Sequence, residues 1–321
     1  MSDERVQTTI DWGSLQDVMN NGERVSHIYP NDCFFAHLSI YYFAAQYCEN
    51  SLVLDAGSGA GYGSAYLADH GAKFVWGVDI GDKAVEFSKQ KFQRANLLYQ
   101  VMDLQDLSGF HDQQFDLIYS SNTLEHVPNV VNFFRSAWRL LKENGKMVIT
   151  VPPITRDVDW EENNRNIYHL NIWTPRQWYN VLDLYFSEIQ PYWLGFNKPG
   201  VPLDFNNTPE QTVINEKDFI FIPIPLEDYY TKPSLGVTFV VSKPRLKNAI
   251  PAADFQLFFV EGSYTRPPVS DTVPQTPGLS PVRSQSLKYM VTRAFTVARE
   301  EGFSSMLRKI IRYLKPKNSS N

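Results

Sequence analysis

Residues 51–63, Ser51-Leu52-Val53-Leu54-Asp55-Ala56-Gly57-Ser58-Gly59-Ala60-Gly61-Tyr62-Gly63, decide how the rest of the chain is read. A short apolar run ending in Asp55 passes into a loop with glycine at every second position. That is the pattern of a buried strand turning sharply into a helix, where small residues let backbone approach a ligand. The register excludes a dinucleotide fingerprint, because G-x-G-x-x-G counted from Gly57 ends at Tyr62 and counted from Gly59 ends at Ser64. A carboxylate at Asp55 would repel a pyrophosphate and suits a ligand bearing an ammonium group.

Outward from this loop the chain alternates short apolar runs with helical patterns, as βαβ units of a parallel sheet do. Strands are expected at 51–56, 74–79, 97–101, 115–120 and 146–151, with helices at 63–70, 83–95 and 130–141 between them. Gly145 is expected to make a helix C-cap turn. Thr174-Pro175 reads as an N-cap and first turn opening a helix to about Leu184, and 189–194 with 237–242 complete seven strands. The Pro- and aromatic-rich residues 196–235 between the last two strands are too long for a plain connection and read as an insertion or lid.

Two further acids stand at strand ends. Asp79 lies 20 residues after Gly59, where a carboxylate can accept hydrogen bonds from ribose hydroxyls, and Asp103 is placed to accept from an adenine amine. With VLDAGSGAGYG, GVDI and the MDL segment in this order, residues 22–243 resemble the class I S-adenosylmethionine-dependent methyltransferases. A bacterial small-molecule or glycan-type subgroup beginning with a GER segment and an H-x3-Y-like helix resembles Gly22-Glu23-Arg24 and His37 through Tyr41. Ser58 departs from the Cys of many relatives.

The resemblance implies an α/β, Rossmann-like, seven-stranded, mostly parallel sheet with helices on both faces. It implies S-adenosyl-L-methionine as cofactor, bound through Asp55, Gly57, Ser58, Gly59, Gly61, Asp79, Ile80, Asp103, Leu104 and Asn122.

Methyl transfer to a hydroxyl needs alignment and a group to take a proton. The segment Ser121 to Pro128 follows the fourth strand, at the sheet edge where open α/β folds bind ligands. Its Glu125 and His126, and His169 ahead of the Thr174 cap, are the catalytic candidates, with a structural hydrogen-bonding role as the alternative for each. Nothing in their spacing argues for a metal site. Tyr168, Trp173, Trp178, Trp193 and Phe196 are either an acceptor platform or core.

The chain has 321 residues and a net charge of −5, with 43% hydrophobic and 20% charged residues, the balance of a globular protein. Cys33 and Cys48 have no metal-ligand spacing and argue against a disulfide framework. The N-terminus lacks the basic and apolar regions of a signal peptide, so a cytoplasmic location is expected.

The expected organisation is an N-terminal segment (1–34), the catalytic domain (35–261), a linker (262–285) with five prolines, and a C-terminal amphipathic helical tail (286–317). Nine Lys or Arg against two Glu give residues 282–317 a net +7, leaving −12 on the rest.

Such a tail suits peripheral contact with an anionic inner membrane face, or docking on a partner or on the acidic body. No [ND]PP[YF] loop follows the fourth strand and the body is acidic, so a nucleic-acid acceptor is not expected. A small-molecule or glycan acceptor is expected. Basic tails with a segment like Arg299-Glu300-Glu301-Gly302 resemble those of bacterial glycan-assembly enzymes, favouring a sugar hydroxyl in surface-polysaccharide synthesis. The alternatives are an aromatic or lipid-soluble acceptor such as a quinone precursor, and a non-catalytic scaffold subunit of the same fold.

Overall fold

The computed structural model describes residues 24–246. The expected linker (262–285), the tail (286–317) and most of the N-terminal segment lie outside the described residues.

Five strands, β1 (Leu52–Ala56), β2 (Phe74–Asp79), β3 (Leu97–Val101), β4 (Phe115–Ser121) and β5 (Leu141–Val151), pair in parallel. β6 (Phe186–Phe196), β7 (Phe219–Pro223) and β8 (Val237–Pro244) extend the sheet through antiparallel pairs, in the order β3-β2-β1-β4-β5-β8-β6-β7. Among the described residues the sheet therefore has eight strands, not seven. The added one, β7, lies inside the 196–235 insertion, so this stretch is not a plain lid: part of it becomes the edge of the sheet.

The strand sequences explain how both faces are covered. Side chains alternate across a sheet, and here Leu54, Ile118, Met147, Ile149, Phe239 and Val241 enter one core. Their neighbours Val53, Leu117, Tyr119, Val148 and Val240 enter the other. The first core is closed by α4 (Val130–Leu140) and α6 (Pro175–Asp183), through Phe133, Phe134, Ala137, Trp178 and Leu182. The second is closed by α1 (Asp32–Ala45) and α2 (Tyr62–Asp69), through Ile40, Tyr41, Phe43 and Leu67. α3 (Asp82–Lys91) packs beside β2 and β3, and α5 (Asp157–Arg165) lies ahead of α6 with no buried residue.

Local chemistry sets the helix ends. Thr174 caps α6 as read from the sequence, with Gln177 completing a reciprocal capping box and Pro175 in the first turn. Gly145 is not a cap: Leu141, directly after α4, already pairs with Phe115, and Gly145 lies within the irregular start of β5. α1 opens at Asp32, so the last residues of the expected N-terminal segment belong to the domain.

The insertion is fastened to the start of α1. Asp32 N–H donates to Asn207 Oδ1 at 3.0 Å, Asn207 Nδ2 returns to Asp32 Oδ1 at 2.9 Å, and Asp204 N–H donates to Asp32 Oδ2 at 3.1 Å. Asn31 Nδ2 donates to the Asn207 carbonyl at 3.1 Å, and Phe43 stacks on Phe221 with centroids 4.3 Å apart. Asp32 is buried, so these bonds satisfy a carboxylate that would be costly alone.

Candidate active site

The glycine loop joins β1 to α2 at the carboxyl edge of the sheet. Gly57 has φ +92°, and a side chain there would run into Thr123, 2.3 Å away, which sits in the loop after β4. A Cβ on Gly63 would fall 1.9 Å from the Tyr41 ring. Gly59 is different: with φ +53°, its Cβ would meet nothing within 4 Å, so the loop opens outward at that residue. Gly61 carries φ +85°, and its carbonyl accepts from Tyr99 Oη at 2.6 Å.

Asp79 ends β2 beside this opening. Its Oδ2 accepts from Gly59 N–H at 2.9 Å and its Oδ1 from Gly81 N–H at 2.8 Å, while Arg24 Nη2 donates to Oδ1 at 3.0 Å. The carboxylate thus ties the glycine loop, the start of α3 and Arg24 together. Ile80 follows with 67% exposure, an apolar surface next to the acid. Asp103 lies after β3, half-buried, with its carboxylate turned onto Gln105 N–H at 2.9 Å and the Gln105 amide. Leu104 beside it is buried.

Asp55 stands differently from its sequence reading. It is wholly buried behind the loop, where Oδ2 accepts from Ser64 Oγ at 2.5 Å and both oxygens lie 3.4 Å from Tyr41 Oη. Burial pushes its pKa up to about 7, against hydrogen bonds from Ser64 and Tyr41 that pull it down. A carboxyl so placed anchors α2 and α1 under the loop; it is not set to pair directly with a ligand's ammonium.

Ser58 is buried and its Oγ has no hydrogen-bond partner among the described residues. Asn122, at φ +46°, places Nδ2 3.5 Å from His37 Nδ1 and 3.3 Å from Ser121 Oγ. An opening at Gly59, an orphaned buried hydroxyl at Ser58, an acid with backbone donors and an exposed apolar neighbour fit a nucleoside-bearing ligand laid along the ends of β1, β2 and β3.

The three catalytic candidates, 44 residues apart at the extremes, come together. Glu125 and His126 lie in a single helical turn, Leu124–His126, after β4. Glu125 is 2% exposed, and its Oε1 is 3.9 Å from His126 Nε2. The ring of His169 meets that of His126 edge-on with centroids 5.0 Å apart.

A second layer holds them. His126 Nδ1 is 3.0 Å from the Tyr168 carbonyl, and His169 Nδ1 is 2.7 Å from Asn163 Oδ1. The Glu125 carbonyl accepts from Leu170 N–H at 2.7 Å and Asn171 N–H at 2.9 Å. Asn171 Nδ2 bridges the carbonyls of Leu124 and Val127, both at 2.8 Å. Asn163, Asn171, Ser64 and Tyr99 were not singled out by sequence reasoning; the one signal for the first two is the run of asparagines in 163–171 around His169.

Of the two readings left open for the aromatic residues, the structure supports core for most of them. Trp178 is buried in the first core with Trp173 against it, and Phe196 packs on Phe219 beside the second.

The sheet order, the glycine loop and the strand-end acids define the class I S-adenosylmethionine-dependent methyltransferase fold. Residues 54–149 match the family model described as a methyltransferase domain, and the chain carries such a domain, whose cofactor is S-adenosyl-L-methionine.

Over 97 residues it is 37% identical to a ubiquinone biosynthesis O-methyltransferase of Coxiella burnetii, a match spanning 30% of this chain and 41% of that protein. Over 117 residues it is 30% identical to a phosphoethanolamine N-methyltransferase of Plasmodium falciparum, spanning 36% and 44%. The chain thus spans less than half the length of these relatives. Among solved structures, an S-adenosylmethionine-dependent methyltransferase from Thermotoga maritima superposes with a TM-score of 0.50 at 14% identity, covering 66% of this chain and 91% of that one, a likeness of fold.

Proposed function

We propose that this protein is an O-methyltransferase that methylates a hydroxyl of a small-molecule acceptor with S-adenosyl-L-methionine. The observation that carries the reading is the proximity of two functional groups of residues on one sheet edge. The ends of β1 and β2 present the Gly59 opening and Asp79, and the loop after β4, which touches Gly57 through Thr123, presents Glu125 and His126, against which the segment between α5 and α6 sets His169.

Asp79, Ile80, Asp103, Leu104, Asn122 and the loop residues Gly57, Ser58, Gly59 and Gly61 would hold the cofactor, with Asp55 bracing the loop from behind. The bound sulfonium supplies an electrophilic methyl group. The chain must orient the acceptor oxygen and accept its proton. His126 suits the second task because its Nδ1 faces a carbonyl, which fixes the proton there and leaves Nε2 as the basic nitrogen. Glu125 beside it would stabilise the imidazolium once formed.

A saccharide acceptor at the membrane face is the reading favoured by the basic tail. A quinone-type acceptor is the second, favoured by the similarity to the Coxiella burnetii protein.

The test is calorimetric titration of the full chain with S-adenosyl-L-methionine and, in parallel, NAD, with Asp79→Ala as control. Binding of S-adenosyl-L-methionine alone, weakened at least tenfold in the variant, is expected. Equal binding of NAD, or none of either, would overturn it. Labelled-methyl transfer into saccharide versus lipid-extractable pools then separates the two acceptors.

A further inference from the structure

We propose that Glu125, His126 and His169 form a binding site for a divalent transition-metal ion, a site their spacing in the sequence does not announce. One ligand atom from each residue lies within 4.8 Å of the other two. Two imidazoles and a carboxylate are a donor set for zinc and its first-row neighbours, with coordination positions left over for an exogenous oxygen. Bonds to such ions run at about 2.0–2.2 Å, so the three atoms need to draw in by less than about an ångström each.

The hydrogen bonds behind the histidines set the tautomers that a metal requires. His126 Nδ1 points at the Tyr168 carbonyl, which can only accept, so Nδ1 carries the proton and Nε2 the lone pair. For His169 the partner is Asn163 Oδ1, and that amide is pinned in orientation because its Nδ2 donates to the Asp159 carbonyl at 2.8 Å. Again Nδ1 donates and Nε2 holds the lone pair. A carbonyl or amide oxygen behind each ligand histidine is the outer layer that metal sites use to fix ring orientation.

The backbone is equally prepared. Both Leu170 and Asn171 N–H groups donate to the Glu125 carbonyl, and the Asn171 amide clamps the turn on either side. The two segments that supply the ligands are therefore locked before any ion arrives.

Binding of the ion stands independently of the O-methyltransferase reading; its use rests on that reading. With the ion bound, His126 Nε2 is committed to it, so the acceptor hydroxyl that coordinates the ion loses its proton to water, as metal-bound water does, and His126 serves as the base only in the metal-free chain. The selectivity follows from the ligands: Co²⁺ and Zn²⁺ bind, whereas Mg²⁺, which prefers oxygen ligands, competes poorly.

The test uses the full chain stripped of metal with a chelator and titrated with Co²⁺, read by its visible absorption. One equivalent bound, displaced by Zn²⁺ and not by equimolar Mg²⁺, is expected. His126→Ala and His169→Ala should each weaken it by roughly 100-fold or more, and Asn163→Ala, behind the site, by about 10- to 100-fold. His70→Ala, at an exposed histidine, serves as control and should change nothing.

Glu125→Gln keeps the side-chain shape, so its loss of Co²⁺ affinity with an unchanged circular dichroism spectrum would support the site even if an alanine variant failed to fold. No binding by the wild-type chain, or equal binding by His126→Ala and His70→Ala, would overturn the proposal. Metal binding without any methyl transfer would leave it standing while removing the O-methyltransferase reading.

Discussion

Asp55 illustrates how a residue can be legible in position and misread in role. The strand-to-loop pattern places it correctly beside the glycines, but burial is a property of what packs behind it, and Tyr41 and Ser64 arrive from two helices. Its raised pKa gives a signed prediction. An acid whose folded pKa lies above its unfolded value contributes stability that is full below the unfolded pKa, near 4, and is lost as pH rises through the folded one, about 7. Unfolding free energy should fall across that window by at most about 1.4 kcal/mol per pH unit from this group, and Asp55→Asn should flatten that slope. Denaturant unfolding of both proteins at pH 4.5, 6 and 7.5 checks it; parallel curves would contradict the assignment. Asp79, by contrast, stands where it was read, because strand-final position alone determines its access to the loop amides.

Among elements, β2 and β3 were legible to the residue: β2 because an apolar run bounded by polar turns has few other ways to be buried, and β3, an edge strand with only Tyr99 buried, because it is the next step of the βαβ alternation. β7 was not: Phe219–Pro223 is one short run within a Pro-rich stretch, and only pairing with Trp193, Leu194 and their neighbours makes it a strand. α5 was missed for the opposite reason, since with no buried residue it shows no apolar periodicity. The convergence of His169 on His126 was equally hidden, because it depends on the clasp between the 124–127 turn and residues 170–171. Removing that clasp is a test at this scale. Asn171→Ala leaves the carbonyls of Leu124 and Val127 without their buried donor and should cost about 1–3 kcal/mol, seen as a lower unfolding midpoint. The affinity for S-adenosyl-L-methionine should change little, since Asp79 ends β2 and Gly59 lies in the loop after β1, away from the 124–127 turn. An unchanged midpoint would show that the loop is held by other contacts.

At the scale of the whole molecule, charge is divided between a basic stretch at 282–317 and an acidic remainder. Among the described residues, no helix is long and apolar enough to cross a membrane. A peripheral role therefore rests on the tail's charge and apolar spacing, and the full chain is expected to co-sediment with anionic vesicles at low salt. A chain ending at Gly262 should stay in the supernatant, and the full chain should be released by raising the salt. Equal partitioning of the two proteins would end the membrane reading.

The sheet order carries a consequence for biosynthesis. β8, the last described strand, slots between β5 and β6 and pairs with both. Until residues 237–244 emerge from the ribosome, the growing polypeptide must hold those two strands apart with unfilled edges facing each other, open to wrong partners and to chaperones. The half built from β1 to β5 can condense early. The rest waits for one late insertion, so nascent chains halted before Val237 should be protease-sensitive from β6 onward, and those halted well past Pro244 should not.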